Sequence, residues 1–430
     1  MSKRAGIRLR RAGAVAASAA VNGSGFAPSR HLGFAGVTLA LLAGFTGCTS
    51  APAASPHAAA AQPSPAGSAG ATTGAFCRTE LPQSWKTVID GADASVKKLG
   101  QPGEQLSIQT GSADGSTLFA QVSAGNARSL EMFRDGRRTR VTALASSPGT
   151  QGAADEAVQE AAFDGRWLAF AVAHSPSRVN DWTLYLWDSQ GHDVPSKIGD
   201  SGPAGSSTYS PSVSVRGGKV VWLQSRRNGG AGSDLHIHDI AAGIGRVAYS
   251  GAAEHAAVIG DTIVLDGDSS ASVPPTGQPA DPAKPFPVTT RLVALSLATG
   301  APAPLPQGLV ADRPVYFSAG DSLAAWMTGA DRGNLMAWSR DSGAVAHVYS
   351  APARKALNAF DWPRVAGKYH VAWEAAEGVH IADLRSGSYV VLADRVTART
   401  WGQVMVVGDK ASQAALNTST LPALPACTRK

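Results

Sequence analysis

The sequence predicts an all-β protein, a β-propeller of four-stranded antiparallel blades, seven in number with six or eight as the alternatives. Two recurring sequence units and a missing one predict it. The first unit is an apolar, alternating stretch that closes on a polar turn ending in Gly. It recurs at 130–136, 184–191, 235–243, 292–300, 335–343 and 379–387, with first residues 54, 51, 57, 43 and 44 apart. A fixed period of roughly 50 residues is the signature of a repeat architecture. The second unit precedes the later copies: a short strand, a Gly-containing tight turn, and a strand ending in a large apolar residue, as at 163–170, 215–222, 259–265, 319–326 and 366–373. Glycine supplies the positive φ that two-residue hairpins require. No helical periodicity of comparable length competes. Four strands per period, joined by hairpins, make one propeller blade.

Composition agrees with an all-β reading. The 430 residues are 44% apolar and 16% charged, with 47 Gly and 26 Pro, which suits a turn-rich β chain and excludes collagen, coiled coil and bulk disorder. The formal charge of +6 suggests nucleic acid until it is located. Lys3, Arg4, Arg8, Arg10, Arg11 and Arg30 account for all of it, and no acid precedes Cys48. From Cys48 onward the chain is formally neutral, so nucleic acid is not an expected partner.

Residues 1–47 form the first element: a basic opening, an apolar run from His31 to Gly47, and then Cys48. That is the layout of an export signal. The segment 42–48 resembles the lipobox of bacterial lipoproteins, in which small residues, here Thr46 and Gly47, precede a cysteine that becomes diacylated and the new N-terminus. The resemblance implies lipidation at Cys48 and anchoring to the outer face of the cell membrane after export. Several acyl chains hold a protein to a membrane durably, whereas one does so only marginally.

Residues 48–75 carry no charged side chain and consist almost wholly of Ala, Pro, Ser, Thr and Gly. Such a segment cannot bury enough surface to fold and reads as a disordered tether, with a random-coil reach of roughly 30 Å. Residues 76–430 are the propeller domain, and Cys77 and Cys427 sit at its two ends. An even pair in an exported chain reads as a disulfide, which demands a fold that brings its ends together.

At a period near 50, the seventh outer unit falls where the chain runs out, and only inner strands remain, near 403–407 and 413–417. The stretch from Trp85 to Ile89 is therefore expected to supply the missing outer strand of the last blade, so that N- and C-terminal strands close the ring. Closure removes open sheet edges. Cys77 and Cys427 would meet across that seam.

The stretch 209–229, running Tyr-Ser-Pro, an apolar strand, Gly217-Gly218, Val220-Val221-Trp222 and Asn228-Gly229, followed by 235–243, resembles the blade repeat of TolB-like bacterial propellers. The likeness extends at low stringency over most of 105–400. It implies a propeller fold and an envelope location, and it brings no catalytic residues with it.

Several motifs invite a chemical reading. Gly320-Asp-Ser-Leu323 has the letters of a hydrolase motif, yet it occupies the hairpin-turn slot of blade 5, and a nucleophile needs a base within hydrogen-bond reach. His236 and His238 share one strand face and could ligate a metal, but neighbouring blades put aromatic residues there. Asp266, Asp268 and Ser270 have one-three-five calcium-loop spacing, with Gly277 where a loop would need Glu. These read as turn, sheet face and loop, so no metal, cofactor or catalytic residue is assigned. The Trp residues in strand slots, such as Trp222, Trp326 and Trp373, read as packing between blades.

Alternation of strand direction puts the connections between second and third strands on the same face as the inter-blade connections. That face collects the irregular loops, and with them His174, Arg178, Asp181, Arg226, Arg227, Asp266, Asp268, Asp331 and Arg332. The loop 266–290 is far longer than its equivalents and carries six prolines. Long loops on a rigid scaffold are where function usually resides. The expected role is non-catalytic binding of an envelope protein or glycan by a monomeric, membrane-anchored module. The rival reading is a propeller hydrolase or lyase whose site is assembled from several blades around the central channel.

Overall fold

The chain folds into a seven-bladed β-propeller, with one helix among the described residues, seen in a computed structural model that describes residues 75–146, 155–174, 180–191, 193–202, 211–225, 232–267, 291–328, 333–351, 362–409 and 412–427. The export segment, Cys48 and the tether lie outside the described residues. Two elements precede the ring: a short strand β1 (Cys77–Arg78) and the helix α1 (Gln83–Lys97). Blade 1 comprises β2 (Glu104–Gly111), β3 (Thr117–Ala124), β4 (Ala127–Arg134) and β5 (Arg137–Leu144). Blade 2 comprises β6 (Ala157–Phe163), β7 (Trp167–Ala173), β8 (Trp182–Asp188) and β9 (Ser196–Asp200). Blade 3 comprises β10 (Ser212–Arg216), β11 (Lys219–Ser225), β12 (Ser233–Asp239) and β13 (Ile244–Gly251).

Blade 4 comprises β14 (Ala253–Ile259), β15 (Thr262–Gly267) and β16 (Arg291–Ser296), its fourth position reduced to a bridge between Leu295 and Pro302. Blade 5 comprises β17 (Val315–Ala319), β18 (Leu323–Thr328), β19 (Asn334–Ser339) and β20 (Val345–Ser350). Blade 6 comprises β21 (Arg364–Ala366), β22 (His370–Ala375), β23 (Gly378–Asp383) and β24 (Ser388–Leu392). Blade 7 comprises β25 (Thr397–Trp401), β26 (Val404–Gly408) and β27 (Gln413–Asn417). Each blade is an antiparallel meander, and β25 returns to lie beside β2, which closes the ring.

The hairpin chemistry read from the sequence holds in detail. Gly217 and Gly218 turn β10 into β11 with φ of 56° and 72°, a pair of positive values that side chains resist. The Gly320–Leu323 segment closes the β17–β18 hairpin through a bond from the Gly320 N–H to the Leu323 carbonyl. His236 stacks on Trp222 at 4.7 Å, as a sheet-face residue does.

Apolar side chains gather between blades. Seven clusters of buried residues fill the seven junctions, from Phe119, Leu130, Leu168 and Phe170 between blades 1 and 2 to Ile108, Ala120, Val404 and Val406 between blades 7 and 1. Trp222, Trp326 and Trp373 are buried in these wedges. Polar struts reinforce them: the Gln121, Glu374 and Gln413 side chains each accept an amide hydrogen from the inner strand of the next blade, at Val158, Ala398 and Ile108.

The closure differs from the expected one. Trp85 to Ile89 is not the outer strand of blade 7 but the first part of α1, which packs along β27 in that strand's place. The apolar residues there are Trp85, Val88, Ile89, Ala92 and Val96, a helical stripe rather than an alternation, and Pro82 precedes the first turn without losing a needed N–H. The helix still covers the β27 edge, so closure serves the same purpose with a different element.

The disulfide between Cys77 and Cys427 forms, with Cα atoms 5.4 Å apart, but on the rim of blade 6. There β1 pairs in parallel with β24, and the Cys427 N–H donates to the Ser386 carbonyl. Asp383, fully buried, holds the C-terminal tail through the Leu424 N–H and grips Arg385 bidentately. The Trp85 indole donates to the Pro422 carbonyl at 2.9 Å. Helix, tail and rim are thus one clamp.

Candidate functional site

The inner strands β2, β6, β10, β14, β17, β21 and β25 surround an axial channel of about 280 Å3. Its lining is polar and aromatic in part, including Glu160, Arg216, His255, Tyr316, Trp362 and Arg364. Strand direction sorts these residues by height. His255, Tyr316 and Trp362 lie at the ends of their strands that meet the loop-rich face, whereas Arg216 lies at the opposite, hairpin end.

Bulges place the first two. In blade 4 the register slips between Ala253 and Ala256, so Glu254 and His255 together stand opposite the single residue Asp266 of β15. Asp266 fixes this insertion: its Oδ1 accepts the Glu254 and His255 amide hydrogens at 3.0 and 2.7 Å, and its Oδ2 meets His255 Nδ1 at 2.7 Å. Both side chains are buried. A carboxylate on Nδ1 sets the proton there and leaves Nε2 on the far side of the ring. In blade 5 the register slips between Val315 and Ser318, and Tyr316 takes φ of 54°, an outlier for a bulky residue. Bulges re-aim side chains, and strained backbone of this kind concentrates at functional sites.

The consequence is an aromatic cluster at the mouth. The His255 ring meets Trp362 edge-on at 4.4 Å, and Tyr316 lies 5.8 Å from each of them. The Arg364 guanidinium sits 5.5 Å from the centre of the Trp362 ring, a cation–π distance. Deeper in, burial works against the charge of Arg399 and holds its pKa below the ordinary guanidinium value; Glu160 and Glu374 favour the charge, and Arg364 opposes it. At the far end, Arg216 pairs with Asp321 across the hairpin mouth.

Glu254, His255 and Asp266 lie close enough to suggest a metal cage. The donor geometry argues otherwise, since Asp266 is already engaged by two amides and an imidazole N–H, and Glu254 is exposed.

The residues expected on the binding face are distributed differently from the cluster. His174 and Asp181 do come together at the loop-face end of blade 2, where the His174 N–H donates to the Asp181 carbonyl. The His174 ring is occupied by Glu156 at 3.2 Å and Thr183 at 2.9 Å. Asp266 is a correction: it is 2% exposed and props up His255 rather than facing a partner. Arg178, Arg226, Arg227, Asp268, Asp331 and Arg332 lie outside the described residues. His255, Tyr316, Trp362, Arg364 and Arg399 were missed. Their signal is a charged or aromatic residue in or just before an inner strand, scattered over blades 4 to 7.

No protein-family model and no curated protein matches the chain. Solved structures do resemble it. One is a prolyl endopeptidase, at 14% identity and a TM-score of 0.46, with 80% of this chain and 53% of that one covered, so the chain spans about half its length. A second is an oligogalacturonate lyase in complex with manganese, at 10% identity and a TM-score of 0.46, covering 74% of this chain and 92% of that one. A third is TolB from Acinetobacter baumannii, at 12% identity and a TM-score of 0.37, covering 77% and 69%. Both enzymes and TolB thus appear among proteins of similar architecture.

Proposed function

We propose that this chain is an exported lipoprotein, acylated at Cys48, whose propeller stands off the outer face of the cell membrane and binds an envelope protein or glycan. The membrane attachment rests on the export signal and the cysteine that ends it. The binding role rests on one observation above others: His255, Tyr316, Trp362 and Arg364 converge on the channel mouth at the face that carries the long loops. Concave, aromatic-lined sites with a few placed polar groups are where ligands bind.

The runner-up is an enzyme, and the buried His255–Asp266 pair favours it, because a base held by a carboxylate is half of a catalytic arrangement. Against it, His255 has no hydroxyl or thiol hydrogen-bonded to its ring among the described residues.

Two measurements test the reading. Intact mass of the membrane fraction should give a mature chain that begins at diacylated Cys48; a different first residue removes the lipoprotein reading. Proximity labelling from the intact cell surface should enrich a reproducible envelope partner that a Trp362→Ala chain fails to enrich. If recovered ligand is chemically altered by the wild-type chain and unaltered by His255→Ala, the enzyme reading replaces the binding one.

A further inference from the structure

Several arginines on the ring are neutralised, and most of those that are not lie exposed. Arg128, Arg138, Arg166, Arg216 and Arg385 each pair with a carboxylate. Arg364 and Arg399 do not: both are partly buried, and neither forms an ion pair among the described residues. The nearby carboxylates are Glu160, and Glu374, whose Oε1 already accepts the Ala398 N–H. Glu160 and Glu374 favour the charge of Arg399, so the half-buried guanidinium left for an outside anion is Arg364. Removing a guanidinium from bulk water without a partner is costly unless something else supplies the negative charge.

The surroundings say what kind. Arg364 is held over the Trp362 face, which fixes its fork and leaves its edge for a planar, bidentate acceptor. Trp362 and Tyr316 add flat apolar surface at the mouth, and His255 adds an imidazole whose tautomer Asp266 has set. An aromatic face suits the C–H face of a sugar ring, a guanidinium suits a carboxylate, and an imidazole nitrogen suits a hydroxyl. About 280 Å3 falls near the low end of ligand pockets, which run roughly 300–1,000 Å3, so the channel admits sugar units and not a folded domain.

We propose that the loop-face mouth of the channel binds an acidic glycan, a chain of uronic acid units, with a sugar ring on Trp362 and its carboxylate on the Arg364 fork. This rests on the binding reading above and names its ligand class. The strained Tyr316 completes the aromatic wall. The chain from Cys48 onward has no net charge, so attraction to the glycan is local to the channel and not a property of the whole surface.

The test is a titration of the purified full-length mature chain with an alginate hexasaccharide, its carboxyl-reduced counterpart and poly(glycerol phosphate), followed by tryptophan fluorescence and calorimetry. The hexasaccharide should bind, and carboxyl reduction, Arg364→Gln and Trp362→Ala should each weaken binding by about tenfold or more. Arg364→Lys keeps the charge, loses the fork and should fall between. Thermal unfolding of each variant is measured alongside, so that a misfolded chain is recognised. Raised salt should weaken binding of the acidic form and leave any residual binding of the reduced form unchanged. Failure of the hexasaccharide to bind, equal binding of the reduced form, unchanged binding by Arg364→Gln, or tighter binding of the phosphate polymer each overturns the uronate assignment. If that assignment falls while envelope labelling persists, the ligand class alone is wrong; if both fail, the binding reading falls with it.

Discussion

His370 shows how much a single side chain in the closure can reveal. It is 1% exposed beneath Trp85, and its Nε2 accepts a hydrogen bond from Arg385. Burial pushes its pKa down to about 4; Asp383 pulls the other way, and Arg385 adds to the depression. An unfolded histidine titrates near 6.5, so between pH 6.5 and 4 the unfolded chain binds the extra proton, and stability falls as the medium is acidified through that window. The loss amounts to about 3 kcal/mol. Asp383 extends the fall at lower pH: burial opposes its charge, but the Arg385 fork, His370 and the Leu424 N–H hold its carboxyl below the usual value. Chemical denaturation across this range should show the slope, and His370→Leu should flatten it between pH 6.5 and 4. An unchanged slope would place the titrating group elsewhere.

Among elements, α1 is the one the sequence hides best. Trp85, Thr87 and Ile89 sit at strand-like spacing, and a vacant outer position in blade 7 makes a strand plausible. The longer stripe that runs on through Ala92 and Val96 is what decides for a helix, and it shows only when the window extends past Ile89. Trp85 is fully buried with its indole bonded to Pro422, so Trp85→Ala should cost about 3–5 kcal/mol, seen as a lower denaturation midpoint. A cost near zero would mean that the helix contributes nothing to closure. The bulged inner strands β14 and β17 were equally opaque. Their hairpin turns and outer partners follow a period that sequence comparison detects, whereas a one-residue slip at Glu254 or Tyr316 leaves no periodic trace. That is why the repeat was legible and the site was not: packing is written once per blade, and each channel residue is written once in the chain.

At the scale of the molecule, blade count, ring closure and the meeting of Cys77 with Cys427 all followed from the repeat and the cysteine positions. The location of the bond on blade 6 did not, because it depends on where α1 and the C-terminal tail lie. A disulfide closing a separation of 350 residues contributes about 6 kcal/mol in the loop-entropy description, since the unfolded chain loses most from so long a closure. Cys77→Ser should lower the melting temperature by several degrees while leaving the far-ultraviolet β signature intact; unchanged melting would show that the helix and tail hold the ring without it.

Recognition by this propeller is assigned to the loop-face mouth of its channel, and a photocrosslinking amino acid tests that most directly. Placed at Trp362 in living cells, it should yield a discrete higher-mass adduct, while the same group at Ile244, exposed on the outer strand of blade 3, yields none. Adducts confined to position 244, or equal at both positions, would contradict the assignment.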